Sequence, residues 1–216
     1  MEHWYKFRAK LCKWLPTFPY QEYNLRYRCI FVHIPKNAGT SILSALGASK
    51  GRWHRSYVDY KMSNSKRFKE FFKFSIVRNP YDRTVSIYEY LKAGGNHKPG
   101  DLMVAEEIKS LSFEEFVYSY LDEYKIHEIL VARPQYLFLC DSLGDVQVDF
   151  VGRYEHLSED VAEIFRKLQI EQHALENLNP SERRRWSEYY KSSETSKKVE
   201  MLYKKDFEIF QYEHLE

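Results

Sequence analysis

Phe31-Val-His-Ile-Pro-Lys-Asn-Ala-Gly-Thr-Ser41 is the stretch whose reading decides the fold of this chain. It begins in an apolar run, Cys29 to Val32, of the kind that forms a buried strand, and passes into a turn of small residues carrying one lysine and two hydroxyls. Gly39 is read as the residue that lets the backbone bend. Thr40 and Ser41 fall where the next helix begins, so the first N–H groups, which have no acceptor within a helix, face a bound oxyanion. Lys36 adds a mobile positive charge to those fixed dipoles. Asn37, Ala38 and Gly39 complete the cradle with their backbone.

The spacing is not that of a nucleoside triphosphatase. A Walker loop places its lysine directly before the hydroxyl that holds magnesium. Here Lys36 lies three residues before Gly39 and four before Thr40. The string instead resembles the 5′-phosphosulfate loop of the sulfotransferases that use 3′-phosphoadenosine 5′-phosphosulfate (PAPS), in the branch containing the heparan and chondroitin sulfate sulfotransferases.

A second constellation, Ser75-Ile-Val-Arg78-Asn-Pro-Tyr-Asp-Arg83-Thr-Val-Ser86, has the physics of another phosphate site. Arg78 leaves a buried strand, Phe72 to Val77, with a planar fork suited to phosphate. Pro80 fixes the following turn, and Ser86 lies on the helix that begins there. On its own the string reads more readily as a capped turn. Beside the first loop it resembles the 3′-phosphate motif of the same sulfotransferases, in which an arginine at a strand end and a serine eight residues on hold that phosphate.

Two weaker likenesses extend the resemblance over residues 28–212. Val151-Gly-Arg-Tyr-Glu-His-Leu157 resembles the segment after the last core strand, where Arg153 either approaches the donor nucleotide or pairs with Glu155. Leu202 to Tyr212 resembles a C-terminal Tyr-x-x-Asp-Phe-x-x-Phe element and is read as core packing. The resemblance implies an α/β protein with a P-loop-like three-layer fold, a central parallel sheet flanked by helices, and PAPS as sulfuryl donor with no metal required. Strands that alternate with helices and end in anion loops agree with that architecture.

Sulfuryl transfer asks for charge stabilisation on the bridging oxygen being lost and for a base that takes the acceptor's proton. Lys36 suits the first task. For the second, related glycan sulfotransferases place a catalytic histidine just after the first helix, which implies His54, and imidazole titrates near neutrality. His33 is the alternative, followed by His97, His127 or a glutamate. Arg52, Arg55, Lys61, Lys66 and Arg67 surround His54 in sequence and read either as contacts for an acidic sugar or as a solvated loop. Arg133-Pro-Gln135 is a further candidate for the acceptor side. The family's preference makes a carbohydrate hydroxyl the expected acceptor, with a tyrosyl or small-alcohol acceptor open.

The remaining readings bound the class. At 216 residues one domain, 1–216, is expected. A net charge of +2 speaks against a nucleic-acid partner. Three cysteines (Cys12, Cys29, Cys140) without a CxxC pair suggest neither a metal site nor a disulfide framework. With no apolar run near ~18 residues and no signal-peptide core, a cytoplasmic protein is expected. Residues 1–27 form a basic arm with Trp4, Phe7, Leu11 and Trp14 on one helical face. That stripe either docks on the domain or lies at the inner face of a membrane. Aromatic residues make up 17% of the chain, read as core and rim area or as a stacking surface.

In local structure, a helix is expected to follow the first loop to about residue 48, closed by Gly47 or Gly51. Residues 52–70 read as irregular. A helix over Tyr81 to Leu91 stops at Gly94-Gly95, and Gly94 to Asp101 reads as a mobile loop. Helices are expected over about 113–122 and 124–131, extended chain over Val146 to Val151, then a helix from Ser158 to Leu168. Two rival functions remain. One is an ATP-dependent small-molecule kinase, for which Leu137-Phe-Leu-Cys-Asp141 reads as a strand ending in a magnesium-binding aspartate. The other is a non-catalytic nucleotide- or glycan-binding module. Oligomeric state has no reading in the sequence.

Overall fold

The computed structural model describes residues 18–48, 51, 53–170 and 185–215. The basic arm up to residue 17 and Arg52 lie outside the described residues. In chain order the elements begin with α1 (Glu22–Arg26), β1 (Cys29–Phe31), α2 (Gly39–Ala45), α3 (Tyr57–Ser63), α4 (Ser65–Glu70) and β2 (Phe72–Val77). They continue with α5 (Pro80–Lys92), α6 (Pro99–Ile108), α7 (Phe113–Glu115) running into a π-helical turn at Phe116–Tyr120, α8 (Lys125–Glu128) and α9 (Tyr136–Leu139). The last are β3 (Phe150–Arg153), α10 (Leu157–Leu168), α11 (Ser193–Leu202) and α12 (Lys204–Phe210). The chain divides into two compact units, residues 1–77 with 137–179, and residues 78–136 with 180–216.

The first unit holds a three-stranded sheet in the order β1-β2-β3 with both pairings parallel, and helices flank it. Cys29 pairs with Phe72 and Phe31 with Phe74, while Phe74 pairs with Phe150 and Val77 with Arg153. Because side chains alternate along a strand, Cys29, Phe31, Phe74 and Ile76 share one face. They pack there with Ile42 and Leu43 of α2 and with Val161, Ile164, Phe165 and Leu168 of α10. Gly152 is required by close approach, since a Cβ there would meet Ile76 Cδ1 at 2.7 Å. All three strands therefore end on one edge, which delivers the loop after β1 and Arg153 to the same side of the sheet.

Several local expectations change. Residues 52–70 are not irregular throughout: Ser56 and Asp59 form a capping box that starts α3, and Asn64 caps α4 by accepting from Arg67 N. The stretch Gly94 to Asp101 is shorter as a loop than expected, because Pro99 occupies the first turn of α6. Extended chain at Val146 to Val151 becomes a strand only from Phe150 to Arg153, where β2 supplies partners. The stretch Leu137 to Asp141 is not a strand; it is largely the short helix α9. The Asp141 carboxylate accepts from Leu143 N, Asp145 N and Gln147 Nε2 and so organises a turn, which removes the strand on which the kinase reading relied.

The second unit is helical. α5 follows expectation: Asn79 caps it by accepting from Tyr81 N, and Pro80 sits at its first position. Tyr81 stacks with Trp186 and meets Tyr190 and Phe207 edge-on, so aromatic residues supply much of this unit's packing.

Candidate active site

The loop after β1 is stapled to β2. Val32 N donates to Phe74 O (2.9 Å), Ser75 Oγ donates to Val32 O (2.7 Å), and Asn37 Nδ2 donates to Ile76 O (2.8 Å). The side chain of Asn37, 1% exposed, thus holds the loop, leaving its backbone as the part that can face a ligand. Lys36 (φ 71°) and Ala38 (φ 57°) both adopt the left-handed conformation, which is uncommon for residues with a Cβ. Such residues cluster at ligand clamps. α2 begins at once, with Ser41 N donating to Ala38 O (3.1 Å).

Gly39 has a different reason from the one expected. The backbone bends at Lys36 and Ala38, whereas Gly39 leaves room for a ring: a Cβ there would lie 1.9 Å from His33 Nε2. His33 is buried and stacks on Phe31, with ring centroids 5.5 Å apart and planes 16° from parallel. Its imidazole fills the space against the start of α2.

The structure brings His33 and His54 together. Their ring centroids are 4.1 Å apart, and His54 Nδ1 lies 3.1 Å from His33 O. A peptide carbonyl only accepts, so the proton of that bond belongs to His54 Nδ1, and the neutral ring carries its lone pair on Nε2. The segment around His54 is pinned on both sides. Trp53 packs on Phe18 (5.0 Å), the Arg55 guanidinium lies 4.8 Å over the same ring, and Ser56 opens α3. His97 and His127, by contrast, are exposed in the second unit.

Arg78 is 3% exposed, and its Nε donates to Asp82 Oδ2 at 2.7 Å, one helical turn along. Its backbone is clamped by Gln135, whose Oε1 accepts from Arg78 N (2.9 Å) and whose Nε2 donates to Arg78 O (2.8 Å). Ser86 lies half-buried on α5. Arg153 donates its backbone N–H to Asp160 Oδ2. The motifs quoted from sequence are thus a stapled loop beside a histidine pair in one unit and a clamped arginine in the other.

The sulfotransferase family matches residues 23–213. The chain belongs to that family. An uncharacterised protein of Archaeoglobus fulgidus is 35% identical to it over 105 residues, which is 48% of this chain and 72% of that relative. No solved structure matches the chain significantly. As a member of the family it is an enzyme, a sulfotransferase that takes its sulfuryl group from PAPS.

In this sulfotransferase the residues read as acceptor contacts divide. Arg55 and Arg67 lie over the rings of Phe18 and Tyr20, while Lys61 and Lys66 are exposed on α3 and α4. Arg133 Nη2 donates to His127 O (2.9 Å), and Gln135 turns to Arg78.

Two residues escaped the sequence reading. Gln135 was assigned to the acceptor side without a partner, and Asp206 was included in core packing. Asp206 is fully buried and accepts from Gln135 N and Tyr136 N, both at 2.9 Å. Burial pushes its carboxyl above the usual carboxylate range, and burial likewise lowers the Arg83 guanidinium, each tempered by the other's charge. An aspartate between aromatic positions of a helix is the one signal that pointed to it, since a buried carboxylate needs donors.

Proposed function

We propose that this sulfotransferase transfers the sulfuryl group of PAPS to a hydroxyl of a carbohydrate, with His54 as general base. His54 Nε2 takes the acceptor's proton as the oxygen attacks sulfur, the bond from sulfur to the bridging oxygen breaks, and adenosine 3′,5′-bisphosphate leaves. Lys36 follows the charge that develops on the bridging oxygen. Backbone groups of Asn37, Ala38 and Gly39, with the hydroxyls of Thr40 and Ser41, receive the 5′-phosphosulfate. Arg78 and Ser86 answer for the 3′-phosphate, and Arg153 for the nucleotide.

The observation that carries this reading is the bond from His54 Nδ1 to the His33 carbonyl, because it sets the tautomer a base needs beside the strained loop. The carbohydrate rests on the resemblance to the glycan branch and on the cationic residues of α3 and α4. Incubation with sulfur-labelled PAPS and a panel of sulfated and unsulfated glycans, a tyrosine peptide and a small alcohol tests it. Label transferred to a glycan, in the presence of EDTA, is the expected result; label on the peptide or the alcohol alone refutes the carbohydrate assignment.

A further inference from the structure

Residues 131–136 form a strap that is tied down by buried polar groups along its whole length. Arg83 Nη2 donates to the carbonyls of Val131 (3.0 Å) and Arg133 (2.8 Å), and Tyr203 OH donates to the carbonyl of Ala132 (2.8 Å). The Asp206 carboxylate takes the N–H groups of Gln135 and Tyr136, one on each oxygen. Arg83, Tyr203 and Asp206 are all buried, as is Gln135 at 0% exposure. With that backbone immobilised, the Gln135 amide is brought to the Arg78 backbone. It pairs with both sides of the Arg78 backbone as a neighbouring strand would, accepting from Arg78 N and donating to Arg78 O.

We infer that Gln135 is a positioning residue for the 3′-phosphate site: its amide sets the backbone from which Arg78 reaches, and Asp206 and Arg83 hold Gln135 in place for that task. The inference rests on the reading of Arg78 as the 3′-phosphate ligand. The chemistry of the clamp is specific to an amide, because one end must accept and the other donate. A carboxylate accepts from Arg78 N but sets a second acceptor against Arg78 O. An alanine leaves both backbone groups without Gln135, and a buried N–H or C=O deprived of its bond is costly. Asp82 then fixes the guanidinium, so Arg78 is constrained at root and head together.

The test compares calorimetric affinities for adenosine 3′,5′-bisphosphate and adenosine 5′-phosphate in the whole protein and in Arg78→Ala, Gln135→Ala and Gln135→Glu. The bisphosphate preference should fall about 10-fold in Gln135→Ala, the effect of deleting a buried hydrogen-bonded pair, with affinity for the 5′-phosphate unchanged. Gln135→Glu, which keeps the side-chain volume and one of the two bonds, should also lower the preference, and it serves where the alanine variant does not fold. A preference that survives both Gln135 substitutions while Arg78→Ala abolishes it overturns the inference and leaves the reading of Arg78 standing. Equal loss for both nucleotides in the Gln135 variants also overturns it, since that is the signature of lost structure alone. A preference indifferent to Arg78→Ala refutes the underlying reading and the inference with it.

Discussion

The loop from Val32 to Ser41 is held by groups of the very next strand, whereas Arg78 is held by a side chain 57 residues away that is itself held by a carboxylate 71 residues further on. In the loop, strain is local: two non-glycine residues sit at positive φ, and a histidine ring occupies the space that a Cβ at Gly39 would need. Around Arg78 the constraint is a network of buried hydrogen bonds and charges. On the proposed reading, the first arrangement offers backbone N–H groups and Lys36 to charge that moves during reaction. The second fixes a planar cation in advance, which suits a group that only has to be recognised. Substitutions in the loop should therefore act on rate, and substitutions around Arg78 on affinity for the 3′-phosphate.

The largest effect is expected at the histidine pair. His54→Ala should lower sulfuryl transfer by roughly 10² to 10⁴, the range for a positioned base, with bisphosphate affinity preserved. In the unsubstituted enzyme the rate should rise with pH as the imidazole loses its proton, because only the neutral ring accepts one. Wild-type turnover in the variant, measured with labelled donor at saturation, would move the base elsewhere, and His33 would be the next candidate. Lys36→Ala comes next, with a loss of roughly 10² to 10³ in turnover, equivalent to ~3 to 4 kcal/mol of transition-state stabilisation. Product affinity that drops as far as turnover would make Lys36 an ordinary ground-state contact.

Gly39→Ala puts a methyl where the His33 ring lies, so thermal unfolding should show a loss of about 1 to 3 kcal/mol, typical of overpacking in a closed site. Because the carbonyl of the same His33 holds His54, turnover should fall as well. Unchanged stability and rate would mean that the ring moves aside without consequence. The smallest effect belongs to the outer tier around Arg78. Asp206→Asn keeps one acceptor and turns an NH₂ toward the other backbone N–H. The bisphosphate preference should then weaken by roughly 3-fold, less than for Gln135→Ala. A larger loss than for Gln135→Ala would show that Asp206 acts through more than the strap.

How much of this was legible in the sequence differs between the same two regions. The strand, turn and helix of the first loop could be read because periodicity, small residues and a lysine all lie within eleven positions. Arg78 was legible for the same reason, as was α10, whose apolar residues recur at helical spacing. Residues 52–70 were misread because Trp53 to Arg55 is irregular and masked two short helices whose signals are caps, Ser56 with Asp59 and Asn64 with Arg67. The strand that the kinase reading needed at Leu137 to Asp141 is not there, because four apolar residues fit either period and the chain winds into a short helix over Tyr136–Leu139.

By itself the sequence determined the parallel α/β plan, the turn with Lys36 after β1, the arginine at the end of β2 and the family to which these belong. The tertiary structure alone decided that His33 and His54 form a pair, that Gly39 is needed for a ring and not for a bend, and that Gln135 and Asp206 serve Arg78. The physical reason is range. Strand and helix patterns, caps and turns are written by residues within one or two turns of each other, so their chemistry is visible in a line of text. A buried amide or carboxylate is satisfied by whichever donors the folded chain brings to it, and those lie tens of residues away with no period to announce them.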